Sequence, residues 1–422
     1  MISLSKCGVQ PLRFMRGMRL GAALITVIAP SAGAASAQSF EALEARLADH
    51  PSVQGLRAQS AARDELAAAA GALPDPTVSV GVNNVPISDP AFDRVAMTNK
   101  VIGVNQNIPG FGVRRARTAR EQSRSRANGL RADYQLSMLR AELIATLADK
   151  ERIKAQLDYR EQQHARYDEL EDILRGELEA GRPIYFRLSE IDVERADVER
   201  AIAELRSGLA RADAALIDLV GAPPDTPPPA VDPIPWDGGA FSLFATRIAD
   251  AGVDTAEATV SERKADFGPN FGVRLSYHQR EAGDPAVGAN FTGEDWFSAG
   301  VSFSVPLWAP KSQAPRLRAA KADAASARAD YQTVYRDVSA ELASLAAAHA
   351  ASLRSIAILE AKTASLDDAI AAARRNYEAG RGDYVQILDA EIGRLTILSD
   401  LAAERARATT LAARSNSHLV TP

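Results

Sequence analysis

The sequence predicts an α+β membrane protein, in which four transmembrane β-strands per chain lend part of a barrel wall and long, coiled-coil-like α-helices continue it. Three observations predict this. Four short stretches alternate apolar and polar residues. Each pair of stretches leads into a helical tract far longer than a globular domain uses. The order strand, strand, long helix, turn, helix then occurs in both halves of the 422 residues. An alternating strand puts one chemistry on each face. An apolar outer face over a wet inner one is the pattern of a transmembrane barrel wall. Joined to helices able to cross a cell compartment, such a wall points to a conduit.

Residues 1–37 read as a signal peptide. Lys6, Arg13, Arg16 and Arg19 precede the apolar run 20–29, and Ala35-Ser36-Ala37 offers a small-x-small cleavage site. A membrane anchor is the competing reading, but the apolar run is short for a bilayer span. Initiation at Met15 or Met18 would also leave a sensible signal. The single cysteine, Cys7, lies in this segment, so the mature chain has neither disulfide nor thiolate metal site. Removing the segment leaves 45 basic against 54 acidic residues, a net charge of −9, which argues against nucleic acid as a partner.

The first repeat spans residues 38–222. A helical lead-in at about 40–72 precedes a β-hairpin over 76–108. In its first strand Val78, Val80 and Val82 oppose Thr77, Ser79, Gly81 and Asn83. In its second, Ile102, Val104 and Ile108 oppose Gly103, Asn105 and Asn107. A helical tract from about 113 to 180 and a partner helix at 183–220 meet at a tip near Gly181. Residues 223–237 are a proline-rich connector, beginning Pro223-Pro224-Asp225, because proline cannot continue a helix.

The second repeat, residues 238–422, follows the same plan. It has a lead-in near 239–266, a β-hairpin over 269–306, a tract at 313–379, a tip near Gly380 and a last helix at 383–416. Glu378-Ala379-Gly380-Arg381 repeats Glu179-Ala180-Gly181-Arg182 at an offset of 199, and Pro306 answers Pro109. Such self-similarity indicates duplication. Each long tract would measure about 100 Å at 1.5 Å per residue. Leu136, Leu139, Leu143 and Leu147 form one apolar stripe. Val334, Val338, Leu342, Leu345, Leu353, Ile356, Leu366, Ile370 and Tyr377 form its counterpart. The strands have the length of tilted barrel strands. The polar loops 84–96 and 280–295 suit an extracellular rim, and prolines 76, 109, 269, 306 and 310 mark the helix–strand junctions. Arg274 and His278 fall on the lumen face of the third strand.

Four strands cannot close a ring. An open edge in lipid leaves backbone groups unpaired at several kcal/mol each. Two copies would supply eight strands and three would supply twelve. A lumen wide enough for a conduit favours three or more copies. A soluble β-sandwich attached to a coiled coil is the alternative, but it leaves the regular alternation beside long polar loops unexplained.

Duplicated strand–strand–helix–turn–helix halves, proline-bounded strands and Ala-Gly turns at both tips resemble the TolC-like outer-membrane efflux factors over essentially the whole mature chain. Leu73-Pro74-Asp75-Pro76-Thr77, Asn83-Asn84-Val85-Pro86, Met97, Gln106-Asn107-Ile108-Pro109-Gly110 and the basic run Arg114-Arg115-Ala116-Arg117 are most similar to the heavy-metal efflux branch. The resemblance implies a homotrimer with a 12-stranded barrel in the outer membrane of a Gram-negative cell, continued by a periplasmic helical tunnel. It implies the exit duct of a tripartite pump, with a periplasmic adaptor and an inner-membrane transporter of the resistance–nodulation–division type as partners. Heavy-metal cations are the implied cargo. The same duct serving drug efflux or type I protein secretion is the alternative, and a coiled-coil surface protein without transport is the remaining one.

Family members close at the periplasmic tip. By the resemblance, Tyr377 falls on the gate tyrosine, Asp389 on a gate aspartate, and Glu190 on the equivalent place in the first repeat. Gln386 and Arg187 stand where the best-known member has aspartates, and Gly382 where it has a link-forming arginine. These departures imply a less acidic, differently wired constriction, with Asp383 as an alternative carboxylate. Gly181, Arg182, Gly380 and Arg381 at the hairpin tips would meet the adaptor. A ring of carboxylates at a narrow mouth attracts cations. The competing reading makes these ordinary solvated helix charges.

No enzyme is expected. The five histidines show no ligand spacing, and His349 reads as a residue of the apolar stripe. No phosphate-binding loop, dinucleotide fingerprint or nucleophile–base set occurs. The sequence therefore implies no cofactor and no resident metal.

Overall fold

The computed structural model describes residues 39–420. The expected signal peptide lies outside them. Strands β1 (Thr77–Asn83), β2 (Asn99–Ile108), β3 (Phe271–Gln279) and β4 (Trp296–Phe303) form one antiparallel sheet in the order β1-β2-β3-β4. The two hairpins, one from each half of the chain, are thus joined through β2 and β3. The strands begin and end within three residues of the expected bounds. β4 stops earliest, at Phe303, although Ser304 N–H still donates to the Asn270 carbonyl at 2.8 Å.

The register separates the two faces. One row runs Val80, Ile102, Tyr277, Phe297, and the next on that face runs Val78, Val104, Leu275, Ala299. The opposite face carries the rows Thr77, Asn105, Arg274, Gly300 and Ser79, Gly103, Ser276, Ser298. β2 breaks the pattern at its far end, where Val101 joins the polar face and Lys100 the apolar one. Lys100 is answered there by Glu281 at 2.6 Å and by the Phe92 ring at 4.6 Å. Among the described residues, neither outer edge, β1 or β4, has a further partner strand.

The helices are α1 (Phe40–Leu47), α2 (Pro51–Gly71), α3 (Phe111–Glu179), α4 (Tyr185–Val220), α5 (Phe244–Ala265), α6 (Gln313–Glu378) and α7 (Tyr384–Ser417). The first lead-in is therefore two helices rather than one. Pro51 sits at the start of α2, and His50 caps it by accepting from Ser52 N–H at 3.3 Å. A proline at that position loses no helical hydrogen bond. At 69 and 66 residues, α3 and α6 are each about 100 Å long. α3 is the inner helix. It packs against α2 and α5, and against α4 and α7, while α6 lies outside α5 and α7.

Apolar packing follows the expected stripe on α3. Leu139, Leu143 and Leu147 join Leu43, Val53 and Leu216 in one core cluster. On α6 the stripe holds at Val338, Leu342 and Ile370 but fails at Leu353, which is 50% exposed. Ser352 is buried instead, and its hydroxyl donates to the Glu404 carboxylate at 2.6 Å.

Charge also holds the junction below the sheet. Buried Glu262 of α5 accepts from Arg117 at 2.8 Å and from Arg120 at 2.7 Å. Buried Glu121 accepts from Arg63 of α2 at 3.1 Å, from Arg120 at 3.2 Å and from Arg124 at 3.0 Å. Burial alone would raise the Glu121 pKa, but the arginines outweigh it and hold the carboxyl below its ordinary value. The proline-rich connector is tied down as well. Lys150 of α3 donates to the Pro224 carbonyl at 2.9 Å, and Asn416 of α7 clasps Ile234 N–H and the Asp232 carbonyl at 2.7 and 2.9 Å.

Candidate functional site

The two hairpin tips are built alike. Each long helix ends with a left-handed glycine, Gly181 at φ 85° and Gly380 at φ 71°. Gly181 N–H donates to the Leu178 carbonyl and Arg182 N–H to that of Glu177. Gly380 donates to Tyr377 and Arg381 to Asn376 in the same way. This paired closure is the Schellman motif, which satisfies carbonyls left over at a helix end. Beyond the turn the tips differ. Arg182 reaches back to Glu177 at 2.9 Å. Asp383 instead caps α7, accepting from Val385 N–H at 3.0 Å. Asp383 is thus the N-cap of α7.

Gly382 explains one departure in the wiring. A Cβ there would lie 2.9 Å from Tyr377 N and 3.3 Å from the Asn376 carbonyl carbon. No arginine can be seated at that position without moving the turn.

The hairpins are joined just above the tips by an apolar cluster. Tyr167, Leu170 and Leu174 of α3 pack with Ile191 and Val198 of α4 and with Leu388 of α7. Burial first, and then Glu194, push the Tyr167 phenol up to about 12. At the edge of this cluster Arg187 of α4 donates to Glu190 at 2.9 Å and to Asp389 of α7 at 2.9 Å, with Glu194 at 3.6 Å. Partial burial works against the guanidinium charge. The three carboxylates overcome it and raise the Arg187 pKa above its ordinary value. Three of the expected gate residues, Arg187, Glu190 and Asp389, therefore form one ionic cluster that ties the first hairpin to the second. With Glu194 it holds one positive and three negative charges. It remains acidic.

Tyr377 belongs to a different contact. Its ring lies 5.2 Å from that of Tyr384, whose hydroxyl donates to Glu169 of α3 at 2.9 Å. The Tyr384 bond, helped by Arg166, holds the Glu169 carboxyl below its ordinary pKa. Gln386 and Arg381 are exposed. Sequence reasoning missed Tyr384, Glu169 and Glu391. The last accepts from Arg166 at 3.1 Å and pairs with Arg374, so that α3, α6 and α7 meet on one carboxylate. Glu391 lies two residues beyond Asp389 in the same helix, but no spacing within α7 reveals partners on two other helices.

In the sheet, Arg274 and His278 share the polar face. His278 bonds Asn99 at 2.9 Å and Ser276 at 3.0 Å, and its ring stacks on Trp296 at 4.9 Å. Arg274 is exposed between Asn105 and Gly300.

The sequence pattern of the outer membrane efflux protein family matches residues 246–416. No curated protein matches the sequence. Among solved structures, the outer membrane protein VceC from Vibrio cholerae is similar at TM-score 0.71 and 17% identity, over 89% of this chain and 95% of that one. CusC, described for conformational changes accompanying folding and transmembrane channel formation, is similar at 0.73 and 15%, over 91% and 92%. The open state of the MtrE outer membrane channel of Neisseria gonorrhoeae is similar at 0.72 and 15%, over 90% and 88%. At these identities the likeness establishes the fold, over nearly the full length of each chain.

Proposed function

We propose that the chain, whose residues 246–416 match the outer membrane efflux protein pattern, is the passive exit duct of a tripartite efflux pump. It sits in the outer membrane and extends into the periplasm. One observation carries the reading. A four-stranded sheet with one apolar face and two unpaired edges runs directly into helices about 100 Å long. Neither edge is tolerable in lipid unless another copy pairs with it. Three copies give twelve strands. The same operation sets the outward side of α6 against the α2 and α4 edge of the next copy. The chain provides the geometry of a conduit.

The hairpin tips, with Gly181, Arg182, Gly380 and Arg381, are the surface for a periplasmic adaptor. An inner-membrane transporter of the resistance–nodulation–division type supplies energy. The Arg187 link to Asp389 is the latch that holds the tips, and Tyr377, tilted against Tyr384, is a second contact there. Heavy-metal cations are the proposed cargo. The segments around the first β-hairpin support this, and the net acidic cluster on Arg187 favours cations at the mouth.

A deletion strain tests the cargo. It should lose tolerance to divalent or monovalent heavy metals. Loss of drug tolerance with metal tolerance intact would transfer the duct to drug efflux. Unchanged tolerance to both, with a secreted protein retained, would transfer it to secretion. Purified protein tests the duct itself, which should show heat-modifiable gel mobility and single-channel currents in a planar bilayer.

A further inference from the structure

We propose that Arg274 makes the barrel end of the duct anion-preferring, opposite in sign to the periplasmic tip. This rests on the duct reading above. The polar face of the sheet is composed almost wholly of glycine, serine, threonine and asparagine, with Val101, His278 and Trp296 at its far end. Among the described residues, Arg274 is the one side chain with a fixed charge on that face, and no carboxylate pairs with it. Its row, Thr77, Asn105, Arg274 and Gly300, offers only neutral, short neighbours.

Geometry makes one charge per copy sufficient. Twelve strands spaced about 4.8 Å apart and tilted about 40° close a ring of about 12 Å backbone radius. An arginine reaching inward brings its guanidinium within about one Debye length, about 8 Å at physiological salt, of the axis. Three guanidinium groups at one level then overlap across the whole opening. Rings of arginine or lysine favour anions, as carboxylate rings favour cations.

The acidic residues of the rim do not cancel this charge. Arg274 lies four residues before His278, about 13 Å along the strand, and the rim begins beyond that, farther than the screening length. Several rim carboxylates are also occupied. Arg94 holds Asp89 at 2.9 Å, Asp93 at 3.3 Å and Asp284 at 3.3 Å. Asp295 accepts from Arg280 N–H at 3.1 Å and from the Tyr277 hydroxyl. His278 is committed to Asn99, Ser276 and Trp296. Such a ring lowers cation conductance equally in both directions while leaving the wide lumen open.

Reversal potentials across a planar bilayer with a potassium chloride gradient test this. Currents are recorded with the native tip and again with Tyr377→Phe and Asp389→Ala, so that the tip does not mask the barrel. Arg274→Gln should lower the chloride-to-potassium permeability ratio, Arg274→Glu should lower it further, by about threefold or more, and Arg274→Lys should keep the ratio of the unaltered protein. Equal ratios in all four proteins would overturn the proposal while leaving the duct intact. Absence of current from the unaltered protein would instead remove the duct reading on which it rests.

Discussion

The long helices α3 and α6 occupy corresponding places in the two halves of the chain, yet they live in different surroundings. α3 has 21 buried positions and α6 has six. α6 nevertheless contains an 18-residue window of mean hydropathy 1.5, of which only 11% is buried. Apolar side chains such as Ile358, 66% exposed, face outward along it. The first half supplies most of the buried interior of one copy, and the second leaves an apolar surface exposed. The two halves thus give one well-buried helical layer and one exposed apolar edge, beside a sheet with two open edges.

The sharpest way to break this contrast is to truncate both helices. Leu143→Ala and Leu170→Ala, at fully buried positions of α3, should each destabilise the chain by about 3 kcal/mol. Ile358→Ala in α6 should change the stability of a separated copy by about 0.5 kcal/mol or less. Ile358→Glu should abolish the oligomer band on unheated gels while helical circular dichroism persists. Equal losses from both helices in separated copies would erase the distinction.

A second effect of similar size lies at the junction. Glu262→Ala leaves Arg117 and Arg120 without their shared partner and should cost about 3 kcal/mol in denaturant melts, because an arginine left partly desolvated is unfavourable. The tips sharpen the comparison from the other side. Gly181→Ala and Gly380→Ala should each cost about 1–2 kcal/mol, since both glycines hold positive φ. Similar values would show that the turns kept their symmetry where the helices lost theirs.

Titration separates the two tip contacts. The depressed Glu169 pKa contributes stability that is complete above its unfolded value and lost as pH falls through the folded one. Tyr384→Phe should therefore weaken that contribution and move acid destabilisation to higher pH. The raised Tyr167 pKa works in the opposite direction. Its contribution is complete below pH 10 and declines as pH rises toward about 12, so Tyr167→Phe should blunt alkaline melting. The smallest effect on stability belongs to Arg187→Ala. Its partners are largely solvent-exposed, so it should cost about 1 kcal/mol or less, yet raise single-channel conductance by freeing the second hairpin.

Much of this architecture was legible because it is local. Alternation located all four strands, and proline and glycine marked their ends and the tips. The break between α1 and α2 was also written locally, in Pro51. What escaped were facts of long range. Arg187 and Asp389 stand 202 residues apart, and no pattern within either helix announces their contact. Leu353 fits the stripe by spacing, but over 66 residues a straight helix drifts against a fixed repeat, and Ser352 took the buried place. Gly382 looked like a lost arginine, whereas the turn leaves no room for a side chain.

Closure of the sheet by three copies is most directly tested by cysteine cross-linking, since residues 38–422 contain no cysteine. Ser79→Cys on β1 is combined in turn with Ser298→Cys, Gly300→Cys and Ser302→Cys on β4, because the stagger between copies decides which pair meets. At least one combination should, on oxidation in the membrane, give a denaturant-resistant ladder of one, two and three chains that stops at three. Monomer alone in every combination, or a ladder running past three, would contradict a ring closed by β1 and β4.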